Sequence, residues 1–169
     1  NFSDNPDYLN RTYIAKIWKS YVFSVMVSTF GPVPYEEALS GASSAKYDSE
    51  ELIYTSILSE LEEASKNINS TGDVLSEDPI FNGDVDKWKK FANTLRLKIA
   101  LRISEGFPSL AQQHGSDAMT NENNLINSNA DNVTMKWGIA QENWSYNYTR
   151  YMFVQASNDV IPYVNFHFL

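Results

Sequence analysis

Residues 27–35 of this chain read Val27-Ser28-Thr29-Phe30-Gly31-Pro32-Val33-Pro34-Tyr35, at the end of a long run of apolar residues. Glycine readily takes the left-handed conformation that follows the last turn of many helices, and proline cannot continue a helix. The stretch therefore predicts that a long helix ends near Phe30. At the other end of the run, Asn5 followed by Pro6 is typical of a helix start, so the first helix is expected to begin there.

Apolar side chains recur every three or four residues along this first predicted helix. Lys16, Lys19 and three serines interrupt the run, which favours a helix buried in protein over a membrane span. We expect Trp18 to be mostly buried. The helical period indicates one broad apolar face made of Ile14, Ile17, Trp18, Tyr21, Val22, Val25 and Met26.

A second amphipathic helix is predicted from Asp48 to about Asn67. The run Asp48-Ser49-Glu50-Glu51 fits a capping box, in which Asp48 accepts a hydrogen bond from the backbone of Glu51. The glutamates at positions 60, 62 and 63 are expected on the solvent-facing side. The buried side is expected to contain Leu52, Ile53, Ile57, Leu58, Leu61 and Ala64.

A third helix is predicted to start at Asp84 or Asp86, and a shorter one to run from about Ser109 to Met119. The second and third helices start about 36 residues apart, close to the ~34-residue tetratricopeptide repeat. We expect the third helix to bury Trp88, Phe91, Ala92, Leu95, Ile99 and Ile103. Its other faces are expected to carry Lys87, Lys89, Lys90, Arg96, Lys98 and Arg102.

Composition excludes several classes of function. The 169 residues carry a net charge of −8, so the basic surface that nucleic acids require is not expected. No cysteine occurs, which excludes disulfides, thiolate zinc sites and cysteine nucleophiles. With 43% apolar residues the chain can bury one core, and it is most simply one domain.

Three segments, in this order, resemble the SusD/RagB family, the glycan-binding surface lipoproteins of Bacteroidetes. The first is residues 11–35, a long helix followed by Phe-Gly and then Pro-Tyr. The second is residues 47–64, similar to the family's Tyr-x-x-Ile-x-x-Asp-Leu-x-x-Ala helix. The third is residues 83–103, with the pattern Trp-x-x-Phe-Ala-Asn-x-Leu. Each segment alone is an ordinary amphipathic helix, so the resemblance depends on their order, their spacing and the non-helical residues between them.

The resemblance implies an all-α, tetratricopeptide-like helical scaffold with a loop-rich segment that carries the ligand site. It also implies non-enzymatic capture of a glycan or other nutrient at the cell surface, and delivery to a SusC-like TonB-dependent transporter in the outer membrane. We assign residues 5–119 to the scaffold and residues 120–169 to the loop-rich segment of one SusD-like domain. Family members are several times longer and begin with a lipidated cysteine. The chain is therefore expected to be an internal fragment, held at the membrane only through a lipid anchor that this piece lacks.

Aromatic and polar residues crowd together between positions 137 and 153. Sugar rings stack their apolar C–H faces on aromatic side chains, while their hydroxyl groups bind asparagine and arginine. Packing of the same residues against the helical scaffold is the more common alternative, and Tyr146 and Tyr148 alternate as in a half-buried strand. The candidate ligand-binding residues are Trp137, Asn143, Trp144, Tyr146, Asn147, Tyr148, Arg150 and Tyr151.

Two other functions remain open. A helical-repeat scaffold would bind another protein through an apolar groove. An α-helical glycoside hydrolase would need two carboxylates that face each other in a pocket, whereas the glutamates at 60, 62 and 63 fit a solvated helix face. His114 and Asp117 are spaced as weak metal ligands could be, but His167 is the only other histidine. We expect no catalytic residue, no metal and no cofactor.

Overall fold

The computed structural model describes residues 5–38, 41, 44–120 and 124–135, except for the side chain of Pro6. The chain divides into two units, Asn1–Thr134 and Met135–Leu169, and all described residues but Met135 belong to the first. The described part contains no strand beyond one isolated backbone bridge, and the all-α expectation is confirmed. Its helices are α1 (Leu9–Phe30), α2 (Glu50–Asn67), α3 (Val85–Arg102) and α4 (Pro108–Ala118), with 3-10 turns at Pro6–Tyr8 and Asn129–Asp131.

Each helix packs mainly against its neighbours in sequence. α1 lies against α2, α2 against α3, and α3 against α4, while contacts between α1 and α3 are fewer. Residues 103–107 form a short connection between α3 and α4, which makes these two helices antiparallel neighbours. The described unit is therefore a stack of helical hairpins around one apolar core.

The helix ends follow the predicted capping signals. Asn5 caps the 3-10 turn at Pro6–Tyr8 and accepts a hydrogen bond from the backbone N–H of Asp7 at 3.0 Å. The α-helix itself begins later than expected, at Leu9, without a side-chain cap. At the end of α1, Gly31 has a φ of 72°, and its N–H donates to the carbonyl of Val27. Asp84 caps α3 by accepting from two backbone N–H groups in the first turn, and α4 begins at Pro108. These local signals can be read from sequence because each involves residues only a few positions apart.

The start of α2 differs from the prediction. Ser49, not Asp48, caps the helix and accepts from the backbone N–H of Leu52 at 3.3 Å. The Asp48 carboxylate instead accepts two 2.9 Å hydrogen bonds from the backbone N–H groups of Glu36 and Tyr35, which lower its pKa. Asp48 therefore holds the connection that follows α1, because it finds its partners there and not in its own helix.

The buried faces of α2 and α3 are those predicted from the helical period. Trp88 is 2% exposed; its ring meets that of Phe81 edge-on with centroids 5.1 Å apart, and its indole N–H donates to Asp78 at 2.7 Å. Leu52 alone among the predicted core residues of α2 is only half-buried. The two helices bury Ile53, Ile57, Leu58, Leu61 and Ala64 from α2, and Trp88, Phe91, Ala92, Leu95 and Ile99 from α3, with Ile103 just beyond it.

The burial of α1 differs from the prediction. Trp18 is 41% exposed, so the expectation that it is mostly buried is wrong, and Val22 and Val25 are exposed as well. Ser20 and Ser24 are buried instead. α1 carries apolar residues on almost every side, so its period does not reveal which stripe meets the core. Two small serines allow the neighbouring helix to approach more closely than an indole ring would.

Two further expectations concern the membrane and the end of the described chain. No helix in the described ranges combines the length and the continuous apolarity that a membrane span requires. The sequence from Val133 to Trp137 also predicts a short strand, but residues 133–135 form none. Residues 136 and 137 lie outside the described part.

Candidate functional site

The candidate ligand-binding residues lie outside the described part of the chain. Their arrangement as an aromatic platform therefore stays a prediction. The structure does describe the loop that precedes them and the polar clusters of the helical scaffold. The residues outside the description are Trp137, Asn143, Trp144, Tyr146, Asn147, Tyr148, Arg150 and Tyr151.

The loop at residues 124–135 is fastened to α3 by polar contacts. The backbone N–H of Ile126 donates to Thr94 Oγ1 at 2.8 Å. Lys90 Nζ donates to Asp131 Oδ2 at 2.9 Å, and Ser128 Oγ donates to the same oxygen at 3.0 Å. The hydrogen bond from Lys90 lowers the pKa of Asp131. The loop is polar and lacks a helical period, yet these contacts hold it against the scaffold.

A buried arginine, Arg96 of α3, joins three helices. Its Nε donates to His114 Nδ1 at 3.1 Å and its Nη2 donates to Asp117 Oδ2 at 2.5 Å, both on α4. From α2, Glu62 Oε2 lies 3.6 Å from the same Nη2 and 3.5 Å from His114 Nδ1. Lys66 pairs with Glu62 and lies 3.9 Å from Asp117. We call these five residues the Arg96 cluster.

The charges of the Arg96 cluster fix the protonation of its members. Burial, and then the charge of Arg96, hold the pKa of His114 below its usual value. The hydrogen bond from Lys66 lowers the pKa of Glu62, and the hydrogen bond from Arg96 lowers the pKa of Asp117. His114 is therefore neutral at pH 7 and accepts from Arg96, while both carboxylates are ionised. Such a cluster is suited to joining helices, since the lowered pKa values of His114, Glu62 and Asp117 keep these three groups from exchanging a proton near neutral pH.

Sequence reasoning placed Arg96 on an exposed face of α3, and this is wrong, because Arg96 is 2% exposed. One signal could have found it: Arg96 lies four residues from both Ala92 and Ala100, which are buried on the same side of the helix. The spacing of His114 and Asp117 matches the two donors of one guanidinium. No group of three or more histidine, aspartate or glutamate side chains in the described residues is arranged to hold a metal ion.

A second polar cluster lies where α1 and α2 meet the connection between them. Glu60 accepts from Lys19 Nζ at 2.5 Å, from the Tyr35 hydroxyl at 3.0 Å and from Ser20 Oγ at 3.3 Å. Burial, and then the Glu60 charge, raise the pKa of Tyr35, which keeps its hydroxyl protonated. The solvated face predicted for the glutamates is therefore wrong for Glu60, which is half-buried between helices, whereas Glu63 is exposed.

Two recesses on the described surface have a defined lining. A recess of about 220 Å³ lies beside the Arg96 cluster, at the ends of α2 and α4. An open groove of about 590 Å³ follows α3 between Thr94 and Arg102. Among the described residues, neither lining contains an aromatic side chain.

The sequence matches the model of a SusD-like family, described as starch-binding and associating with the outer membrane, over residues 2–166. The chain belongs to this family. The resemblance to SusD/RagB proteins is thereby confirmed, and so is the association of the family with starch and with the outer membrane. No curated protein matches the chain.

Solved structures show the same relationship. A chitin-binding protein is 39% identical with a TM-score of 0.73, and the match covers 80% of this chain and 29% of that one. A SusD homologue from Parabacteroides distasonis ATCC 8503 is 30% identical with a TM-score of 0.76, covering 91% and 31%. A chitin-binding SusD homologue from Flavobacterium johnsoniae is 30% identical with a TM-score of 0.69, covering 76% and 28%. The tetratricopeptide-like scaffold is confirmed, and the chain spans less than a third of the length of each of these structures.

Proposed function

We propose that the protein to which this chain belongs captures a glycan or other nutrient at the cell surface and delivers it to a TonB-dependent transporter, without catalysis. The observation that carries the proposal is the match to a starch-binding, outer-membrane-associated family along residues 2–166. Two of the similar structures are named as chitin-binding. Chitin and starch oligosaccharides are therefore the first ligands to test.

In this proposal the ligand contacts of the chain come from residues 137–151. Aromatic rings there stack on the apolar faces of sugar rings, and asparagine and arginine bind the hydroxyl groups. The described helices support this assignment by contrast, since they contribute no aromatic side chain to the described lining of either recess. Trp144 is the first choice for the central contact because it has the largest kind of ring and lies between Asn143 and the Tyr146-Asn147-Tyr148 run.

The experiment is the Trp144→Ala variant of the full-length protein. Loss of a central stacking residue is expected to weaken binding of the oligosaccharide by about 1–3 kcal/mol without a change in melting temperature. Isothermal titration and a thermal melt on the same samples measure both quantities. Trp18→Ala is the control for affinity, because it removes an indole ring from α1, outside residues 137–151, and its melting temperature is measured alongside. An unchanged affinity, or a loss that unfolding explains, would remove Trp144 from the site.

Binding without hydrolysis is proposed because the glutamates at positions 60, 62 and 63 are each paired with a lysine. Glu60 binds Lys19 and Tyr35. Glu62 has a lowered pKa, whereas the general acid of a glycoside hydrolase must hold a proton near neutral pH. We expect no new reducing ends when the protein is incubated with chitin or starch oligosaccharides. Release of reducing ends that Glu60→Gln or Glu62→Gln abolishes would contradict this part of the proposal.

Surface anchoring and delivery are tested in cells that express the full-length protein. On intact cells, added protease is expected to digest the protein, since it would be displayed on the outer membrane. In mild detergent it is expected to co-purify with a TonB-dependent transporter. Recovery in the soluble fraction alone, protected from protease, would contradict the location and the partner together.

A further inference from the structure

The recess beside the Arg96 cluster has a buried polar floor. Ser65, Asn93, Arg96 and Ala118 form the floor and are each at most 9% exposed. Its volume of about 220 Å³ is several times the roughly 30 Å³ that one water molecule occupies, and it lies below the roughly 300 Å³ at which pockets for drug-sized ligands begin. The recess therefore has room for a ligand of about one sugar residue. Its rim consists of Lys66, Asp117, Thr120 and Asn124.

Asn93 is the unexplained member of this floor. Asn93 is 9% exposed as a residue and lines the recess, and its amide makes no hydrogen bond to any described residue. Because every completely buried side-chain nitrogen or oxygen of the described residues has a partner, the unpartnered amide of Asn93 is not completely buried and reaches the open space that the residue lines. The Asn93 amide thus presents two donors and one acceptor to the recess.

Two hydroxyl groups near Asn93 have acceptor capacity left. Ser65 Oγ donates to the backbone carbonyl of Glu62 at 2.9 Å, and Thr120 Oγ1 donates to the carbonyl of Ser116 at 3.2 Å. Each hydroxyl oxygen still has lone pairs that can accept. A ligand that satisfies this set must both donate and accept hydrogen bonds, as a hydroxyl group does.

The charges around the recess balance and are already paired. Arg96 binds Asp117 at 2.5 Å, and Lys66 binds Glu62. A charged ligand would have to compete with one of these pairs and would leave a partner unmatched. The chemistry therefore favours a neutral ligand.

We infer that this recess is a binding site for a small neutral polyol of the size of one sugar residue, with Asn93 as its central contact. The site uses none of residues 137–151 and goes beyond the proposed function. If this inference is wrong, the proposal of a glycan platform at residues 137–151 still stands. If the Trp144 experiment fails, the inference about this recess still stands.

The test observes the Asn93 amide directly in the full-length protein labelled with ¹⁵N in its asparagine side chains. Loss of one NH₂ resonance in Asn93→Ala assigns Asn93, and loss of another in Asn132→Ala assigns Asn132, an exposed asparagine of the described loop. Glucose supplies hydroxyl groups alone, and N-acetylglucosamine adds an amide. We expect either sugar to shift the Asn93 resonance saturably, with a dissociation constant in the millimolar range, while Asn132 does not move.

A second variant keeps the test decisive if Asn93→Ala fails to fold. Ser65→Ala removes one acceptor from the floor and leaves Asn93 in place, so it is expected to weaken glucose binding several-fold at an unchanged melting temperature. A linear, unsaturated shift shared by Asn93 and Asn132 would indicate an adventitious additive only and would overturn the inference. Absence of any Asn93 shift would also overturn it, as would binding that Ser65→Ala leaves unchanged.

Discussion

α3 and α1 differ in how their apolar residues are distributed around the helix: most of those in α3 lie on one buried face, whereas those in α1 lie on several sides. In α3, Trp88 and Leu95 share one buried face, whereas the apolar Leu101, on another side of the helix, is 67% exposed. In α1, apolar residues occupy both the buried and the exposed sides, and Trp18 lies outside while Ser20 lies inside. A helical period identifies the buried face only where the opposite face is polar, as it largely is in α3. In α1, the face that becomes buried is determined by packing against the neighbouring helix α2.

The largest expected effect tests the buried face of α3. Leu95→Ala is expected to lower the free energy of unfolding by about 2–5 kcal/mol, because Leu95 is 4% exposed and its removal leaves a cavity. Leu101→Ala on the same helix is the matched control, with an expected change within about 0.5 kcal/mol. Urea denaturation of both variants measures the difference. Similar losses in the two variants would show that the face of α3 is assigned wrongly.

The accuracy of the sequence prediction follows the same contrast. The helix ends at Asn5, Gly31 and Asp84 were predictable because each depends on a few consecutive residues. Asp48 was not, since its partners are backbone groups about a dozen residues upstream. Arg96 was assigned to solvent because its three partners come from two other helices, which no period within α3 reveals.

The candidate site is less accessible to prediction than the fold. The aromatic residues at 137–151 have no helical period, so the sequence leaves both stacking on a ligand and packing on the scaffold open, and packing is the more common of the two. By contrast, the recess beside Arg96 could not be expected from the sequence at all. Ser65, Asn93 and Thr120 meet only because three helices converge there.

A medium effect on the free energy of unfolding is expected from a change in pH, because the described residues include one buried histidine, His114. His114 has a lowered pKa in the folded protein, so the unfolded chain binds a proton more readily. Stability from His114 is therefore complete above its unfolded pKa of about 6.5 and is lost as the pH falls below that value. Urea denaturation at a series of pH values between about 7.5 and 5 is expected to show this loss.

The control for the pH experiment replaces the histidine alone. In His114→Gln the amide oxygen can still accept from Arg96, but the residue no longer titrates. The slope of stability against pH in that window is expected to become smaller. The stability that the Glu62 and Asp117 carboxylates contribute to the protein is also lost as the pH falls. Because the pKa values of both groups are lowered, that loss occurs at lower pH than the loss from His114. An unchanged slope in His114→Gln would show that His114 is not the titrating group.

The smallest effect is expected on the outer face of α1, and it sharpens the contrast most. Trp18→Ser should change the free energy of unfolding of the 169-residue chain by only about 0.5 kcal/mol, because the indole is partly exposed. Ile17→Ser, one residue away and 0% exposed, should cost about 2–5 kcal/mol. In the full-length protein we expect the cost of Trp18→Ser to rise to about 1–3 kcal/mol, since a contiguous apolar stripe on a fragment is normally covered by the rest of its domain. Denaturation of both lengths measures this difference. If Trp18→Ser has an equally small effect in the 169-residue chain and in the full-length protein, then Trp18, Val22 and Val25 face solvent in both. In that case α1 would give no support to the expectation that the chain is a fragment of a larger domain.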